Sequence, residues 1–174
     1  MNSISVEERE FKALCKAYLG IAYDLARNSP DTSTQNGAVL VNKDKDRIIG
    51  SGWNAPPEGV ALTEARLERP LKYSVFEHAE RRAIYNAAKL GNATDGATLY
   101  CPFMACSDCG RAIIQAGVKT VVGHALLNPK KGDRWFESCN LAYQMMLEAG
   151  VEVIWYDEVI GAVPILHNGV LISP

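Results

Sequence analysis

The sequence predicts an α/β fold, a three-layer α/β/α sandwich around a mixed central sheet of about five strands. Two observations carry that prediction. In the second half, short apolar strands alternate with helical segments of about ten residues, which implies parallel pairing through crossovers. In the first half, two strands are separated only by a charged turn, which implies an antiparallel hairpin. With 174 residues, the chain suits a single domain over 1–174, since domains run to about 100–200 residues.

The elements follow in order. Ser5 and Glu8 form a capping-box pattern, and Phe11, Leu14, Cys15, Tyr18, Leu19, Ala22, Leu25 and Ala26 recur at helical spacing. Pro30, Asp31, Ser33, Asn36 and Gly37 read as a loop. Ala38–Val41 and Ile48–Trp53 are the hairpin strands, with Asn42–Asp46 as their turn. From Asn54 to Lys72 the pattern is irregular, with Pro56, Pro57, Gly59 and Pro70. A helix from His78 to Leu90 stops at Gly91. Strand Thr98–Cys101 leads into a helix from Cys106 to Ala116, capped by Gly117. Strand Val118–Gly123, a loop with Pro129 to Gly132, helix Phe136–Ala149 and strand Val151–Tyr156 complete a core over 5–156. In the remaining extension, 157–174, Asn168-Gly169 between Ile165–His167 and Val170–Ile172 predicts a small hairpin.

Composition excludes several function classes. Hydrophobic residues make up 48% and charged residues 22%, which is globular usage and argues against disorder. Eighteen Lys and Arg against twenty Asp and Glu leave a formal charge of −2. No basic surplus is available to hold long nucleic acid, although a small anion needs only one or two placed cations. No stretch reaches the roughly 18–20 apolar residues of a membrane span. The stretch Met1–Glu10 is charged and lacks the apolar core of a signal peptide, so a cytoplasmic protein is expected. The five cysteines, Cys15, Cys101, Cys106, Cys109 and Cys139, are an odd number and too sparse for a disulfide scaffold. In a reducing compartment a close pair points to metal binding or redox chemistry.

Two motifs carry chemistry. His78-Ala79-Glu80 opens one predicted helix, and Cys106-Ser107-Asp108-Cys109 opens the next. A Cys-x-x-Cys at a helix N-terminus sets both sulfurs near unpaired N–H groups, which favour thiolates. Two thiolates and an imidazole supply three ligands to Zn²⁺ and leave its fourth tetrahedral position open, as catalytic sites require. Glu80 stands two residues beyond His78, placed to carry protons. Taken alone, the cysteines read equally well as a redox pair or as core. Taken together, His-x-Glu followed by Cys-x-x-Cys is the signature of zinc deaminases, and a redox reading leaves His78 and Glu80 unexplained. Cys101 reads as a strand end, because a fourth ligand would close the site. His124 carries no motif and reads as structural, His167 flanks the turn, and Cys15 and Cys139 read as core.

On these motifs the chain resembles the cytidine/deoxycytidylate deaminase superfamily, and most of all its dCMP deaminase branch. The similarity also includes Gln35–Asn42, Gly50–Pro57, Lys72-Tyr73 and Gly110–Gly117. The resemblance implies a cytidine deaminase-like fold and hydrolytic deamination at C4 of a free cytosine nucleotide, dCMP to dUMP plus ammonia. Zinc hydroxide attacks C4 in that scheme, Glu80 shuttles the protons, and His78, Cys106 and Cys109 are the zinc ligands. Asn54 is implied to bind the sugar or phosphate edge, its alternative being a turn residue before Ala55-Pro56. A homo-oligomer is implied on the same ground. A small-molecule nucleotide is the expected partner, with no long nucleic acid and no membrane.

Two departures from the family pattern stand out. Ala105 replaces the usual Pro before the first cysteine, and Arg82 replaces the Asn of the branch's His-Ala-Glu-x-Asn-Ala-Ile. Arg82 could ligate a phosphate, make an intersubunit contact, or sit on a solvated helix face. Lys72, Arg66 and Arg69 are the other phosphate candidates, while Lys130-Lys131 reads as solvated. Phe103 and Trp135 are candidates to stack on a base, or core residues. These departures keep open a deaminase of another amine-bearing base, such as cytidine, a modified dCMP or guanine. A non-catalytic nucleotide-binding relative and a redox module complete the alternatives.

Overall fold

A computed structural model describes residues 5–174; residues 1–4, the start of the charged N-terminal stretch, lie outside the described residues. Helix α1 (Val6–Ala26) starts where the capping pattern places it, with the Glu8 N–H donating to Ser5 Oγ at 3.1 Å. Strands β1 (Gly37–Val41) and β2 (Ile48–Trp53) form the expected antiparallel hairpin. Two short helices, α2 (Glu64–Leu67) and α3 (Leu71–Val75), occupy the stretch read as irregular. Then come α4 (Ala79–Lys89), β3 (Thr98–Tyr100), α5 (Ser107–Gln115), β4 (Thr120–His124), α6 (Phe136–Glu148) and β5 (Glu152–Tyr156).

The sheet order is β2-β1-β3-β4-β5. Strand β1 pairs antiparallel with β2 and β3, while β3–β4 and β4–β5 are parallel. The sheet is thus mixed and five-stranded, as the alternation of elements predicts. Side chains on a strand alternate between faces, and here each face feeds a separate core. Ala38 and Leu40 of β1, with Leu99 and Val121, pack under α4, α5 and α6. Val39 and Val41, with Tyr100 and Val122, pack against α1 and against Ile160 and Ile165 of the C-terminal segment. Leu40 and Leu99 are fully buried, and each contributes about 1.5–3 kcal/mol relative to exposure.

The predicted C-terminal hairpin forms as β6 (Ile165–His167) and β7 (Val170–Ile172). Cys15 and Cys139 are buried, as a core reading requires. Among the described residues no helix is long and apolar enough to cross a membrane.

Candidate active site

His78 and Cys106 hold equivalent places. Each is the extended N-cap residue of its helix, α4 and α5 respectively, and Cys109 lies in the first turn of α5. The sequence started both helices one residue earlier, with His78 and Cys106 as first helical residues; at the cap the side chain clears the helix and can face a neighbour. Two helix N-termini therefore converge, and their dipoles favour negative sulfur.

His78 Nδ1 lies 3.5 Å from Cys106 Sγ and 3.4 Å from Cys109 Sγ. The three donor atoms fall within 4.8 Å of one another, the one such group among the described residues. A tetrahedral zinc with ordinary Zn–N and Zn–S bonds needs N···S separations of about 3.6 Å, so the set fits that metal. Cys101 stands apart from it, its sulfur 3.3 Å from Asn36 Nδ2. Ala105, in place of the family proline, is buried directly before Cys106 and costs no ligand.

The electrostatics suit a cation. The Cys109 thiol donates to Cys106 and, with His78 alongside, holds the Cys106 sulfur down at about 4. Sharing that proton, together with burial, pushes Cys109 well up. Burial disfavours a charged His78, but Cys106 and Glu80 outweigh it and raise the imidazole. A bound metal takes the place of these protons. Arg81 pairs with Glu77, which also accepts the His78 N–H at 3.0 Å, and its Nη1 lies 3.6 Å from Asp108 on α5. That pairing ties together the two helices that carry the three donors.

Glu80, in the first turn of α4, is 3% exposed and has no hydrogen-bond partner at Oε2. A buried polar atom left so costs about 1–3 kcal/mol, which is the mark of a group waiting for a ligand. Burial also raises its carboxyl above the ordinary carboxylate range. His78, Glu80 and Cys106 line one cavity of about 400 Å³, within the range of small-molecule sites.

The other expected residues are distributed as follows. Asn54 lines the cavity, but its amide serves the loop: Oδ1 accepts from Asn36 N at 2.7 Å, and Nδ2 donates to Thr34 O at 2.8 Å. Lys72 lines it too, with Nζ 2.9 Å from Asp31 Oδ1. Arg82 is not among the lining residues. Its guanidinium stacks over Trp53 at 4.9 Å and reaches the Trp53 and Pro56 carbonyls at 3.5 and 3.4 Å, which turns it away from the site. Arg66 donates to Ala61 O and does not line the cavity either. Trp135, the N-cap of α6, stands edge-on to the His78 ring at 5.9 Å, and Phe103 also lines the cavity.

Lys130 is exposed, as its solvated reading expects, although it lies along the cavity; Asp31, Arg134 and Asn168, which sequence reasoning did not assign, also line it. An Asp-x-Ser turn signal marks Asp31, since its Oδ1 accepts from Ser33 N at 2.8 Å. Nothing local in the sequence marks Arg134.

Comparison with known proteins agrees with this geometry. The profile of the cytidine and deoxycytidylate deaminase zinc-binding region matches residues 14–125. The human deoxycytidylate deaminase is 32% identical over 133 residues, 70% of this chain and 71% of that one. A deaminase from Aliivibrio fischeri, of uncharacterised activity, is 34% identical over 131 residues, 73% of this chain and 82% of its own. The dCMP deaminase of cyanophage S-TIM5, solved in complex with dCMP and dUMP, superposes with a TM-score of 0.64 at 28% identity, covering 88% of this chain and 99% of that one.

Proposed function

The chain belongs to the cytidine and deoxycytidylate deaminase family, and from that premise we propose that it hydrolyses dCMP to dUMP and ammonia. The relatives named above support the substrate, among them a phage enzyme whose structure holds both dCMP and dUMP. The observation that carries the reading is Glu80, a buried carboxyl with an unpartnered oxygen beside a three-donor metal set in one cavity. A single deaminase domain over 1–174 and a homo-oligomeric assembly go with this reading.

His78 Nδ1, Cys106 Sγ and Cys109 Sγ would hold the zinc. When bound, zinc supplies a Lewis acid that makes water nucleophilic near neutral pH. Glu80 accepts a proton from the attacking water at its free oxygen and passes it to ring N3, then takes the proton left on the new C4 hydroxyl and delivers it to the amine, which departs as ammonia as the C4–N bond breaks. One carboxyl can serve all three positions because they lie within one small pocket, and its raised affinity for protons suits a group that must both take and give them. Trp135 offers an aromatic edge where a base can pack beside His78. The closed network of Asn54 with Asn36 and Thr34 keeps the facing loop in place, and the second lone pair of its Oδ1 is available to a sugar hydroxyl.

The test is ammonia release from dCMP by zinc-loaded protein, with Glu80→Gln run in parallel. The wild type is expected to release ammonia, and the variant to lose about 10²–10⁴-fold in rate while retaining zinc. A zinc-loaded wild type inert toward dCMP overturns the substrate. An undiminished Glu80→Gln overturns the shuttle.

A further inference from the structure

The segment after β5 lies beyond the family match, which ends at residue 125, yet it is firmly fixed. Ile160 and Ile165 are buried in the core that contains Leu19 and Tyr23. From that anchor β6 runs along the loop that follows α1. Gln35 N–H donates to Leu166 O at 2.9 Å, and Leu166 N–H donates to Gln35 Oε1 at 3.1 Å. At the tip, Asn168 and Gly169 both have positive φ, 52° and 79°, as a two-residue hairpin turn demands. The tip is held in turn: Asn168 N–H donates to Thr34 Oγ1 at 3.1 Å, and Gly169 N–H donates to Ser33 O at 2.7 Å.

This seating makes His167 and Asn168 part of the wall of the cavity that contains Glu80. The His167 ring packs edge-on against Phe103 at 5.1 Å, and its Nε2 lies 3.2 Å from Asn168 Nδ2. Arg69 belongs to the same cluster, with Nη2 donating to Ser33 Oγ at 3.1 Å.

The charge balance here identifies the ligand. Apart from Glu80, the acidic lining residues are Asp31 and Asp133. Asp31 is paired with Lys72, and Asp133 accepts the Lys130 backbone N–H at 2.6 Å. Arg69 and Arg134 both approach Tyr73, at 5.9 and 4.4 Å from its ring, and among the described residues neither pairs with a carboxylate. Guanidinium groups without a carboxylate, beside a histidine and the Asn168 amide, suit a phosphate group, which accepts several charge-assisted bonds at once.

We propose that the β6–β7 hairpin is the phosphate-recognising wall of the substrate cavity, with His167 and Asn168 acting beside Arg69 to select a 5′-phosphorylated substrate over its nucleoside. The proposal rests on the cavity being a nucleotide site.

The test compares wild type with His167→Ala and with Asn168→Gly, which keeps a residue tolerant of the left-handed turn. Two quantities are read on zinc-loaded protein: the ratio of kcat/KM for dCMP to that for deoxycytidine, and the thermal shift produced by inorganic phosphate. The ratio should fall roughly 10–100-fold in His167→Ala, the loss expected for a charge-assisted bond, chiefly through KM for dCMP. The phosphate-induced rise in Tm should shrink in both variants, and His167→Gln, which retains a donor, should restore part of each effect. Equal losses on nucleotide and nucleoside, or an undiminished phosphate shift, overturn the proposal. If the wild type deaminates neither substrate, the dCMP reading fails by itself and the phosphate shift alone decides the role of the hairpin.

Discussion

Lys72 was expected as a substrate ligand, and the structure gives it a prior partner. Its ammonium and the Asp31 carboxylate are each 7% exposed and 2.9 Å apart. Asp31 also accepts the Ser33 and Thr34 N–H groups, and its Oδ2 lies 3.3 Å from Asn54 Nδ2. Two residues expected at the substrate thus form the frame of the loop on which the C-terminal hairpin rests. Removing one member of a buried pair strands the other charge, at a cost of about 3–5 kcal/mol. Asp31→Asn keeps the acceptor for the two N–H groups but leaves the Lys72 charge alone, so denaturant unfolding should show a loss in that range. Adding Lys72→Met removes the stranded charge and should recover most of it. A single-variant loss below about 1 kcal/mol would mean that the pair is hydrated and worth no more than a surface bridge. The contrast with the metal set is instructive. The convergence of His78, Cys106 and Cys109 was legible because each sits at or beside a helix start with fixed local spacing. The partner of Asp31 lies 41 residues away, and no local pattern announces such a pair.

At the scale of elements, what brings His78 and Glu80 to the site is the close approach of α4 to β2. A Cβ on Gly50 would lie 2.2 Å from the Ala83 carbonyl oxygen, and one on Gly52 would lie 2.8 Å from Arg82 Cβ. Both glycines are therefore spacers that let the helix lie directly on the strand. Gly50→Ala forces backbone apart, and such overpacking costs about 1–3 kcal/mol, or roughly 2–12 °C in Tm for a chain of this size. Because α4 carries His78 at its cap, zinc affinity measured by chelator competition should fall along with Tm. A variant with unchanged Tm and zinc affinity would show that α4 is not held by this contact. The long helices and the five strands were legible from periodicity and from the glycines that end them. The short helices α2 and α3, of four and five residues, were not, because one turn displays no period and such turns persist only through the packing around them.

At the scale of the molecule, the C-terminal segment must be tied to α1 across the end of the sheet, and His124 at the end of β4 does this within the core on the α1 face. It is 3% exposed, and its Nδ1 lies 2.6 Å from Tyr23 Oη on α1. Its Nε2 lies 3.2 Å from the Glu158 carbonyl at the start of the C-terminal segment. A carbonyl can only accept, so Nε2 donates, Nδ1 accepts the tyrosine proton, and the ring is neutral. The sequence marked this histidine as structural, but its two partners come from opposite ends of the chain and could not be read locally. Burial lowers its proton affinity, with only partial relief from the Glu158 carbonyl. The unfolded chain therefore binds a proton at this position more readily than the folded one, and stability rises with pH wherever that difference applies. The contribution of the neutral ring is complete above the ordinary histidine value of about 6.5 and is lost as pH falls below it toward the depressed folded value. Urea unfolding of zinc-loaded protein at about pH 7.5 and about pH 5.5 should show that decline, and His124→Asn, which cannot titrate there, should show a smaller one. Proton-driven loss of zinc acts through the same ligands in both proteins, so the difference between their slopes isolates His124. Equal slopes would place the acid sensitivity elsewhere and leave the Tyr23–His124–Glu158 link as an ordinary hydrogen-bonded contact.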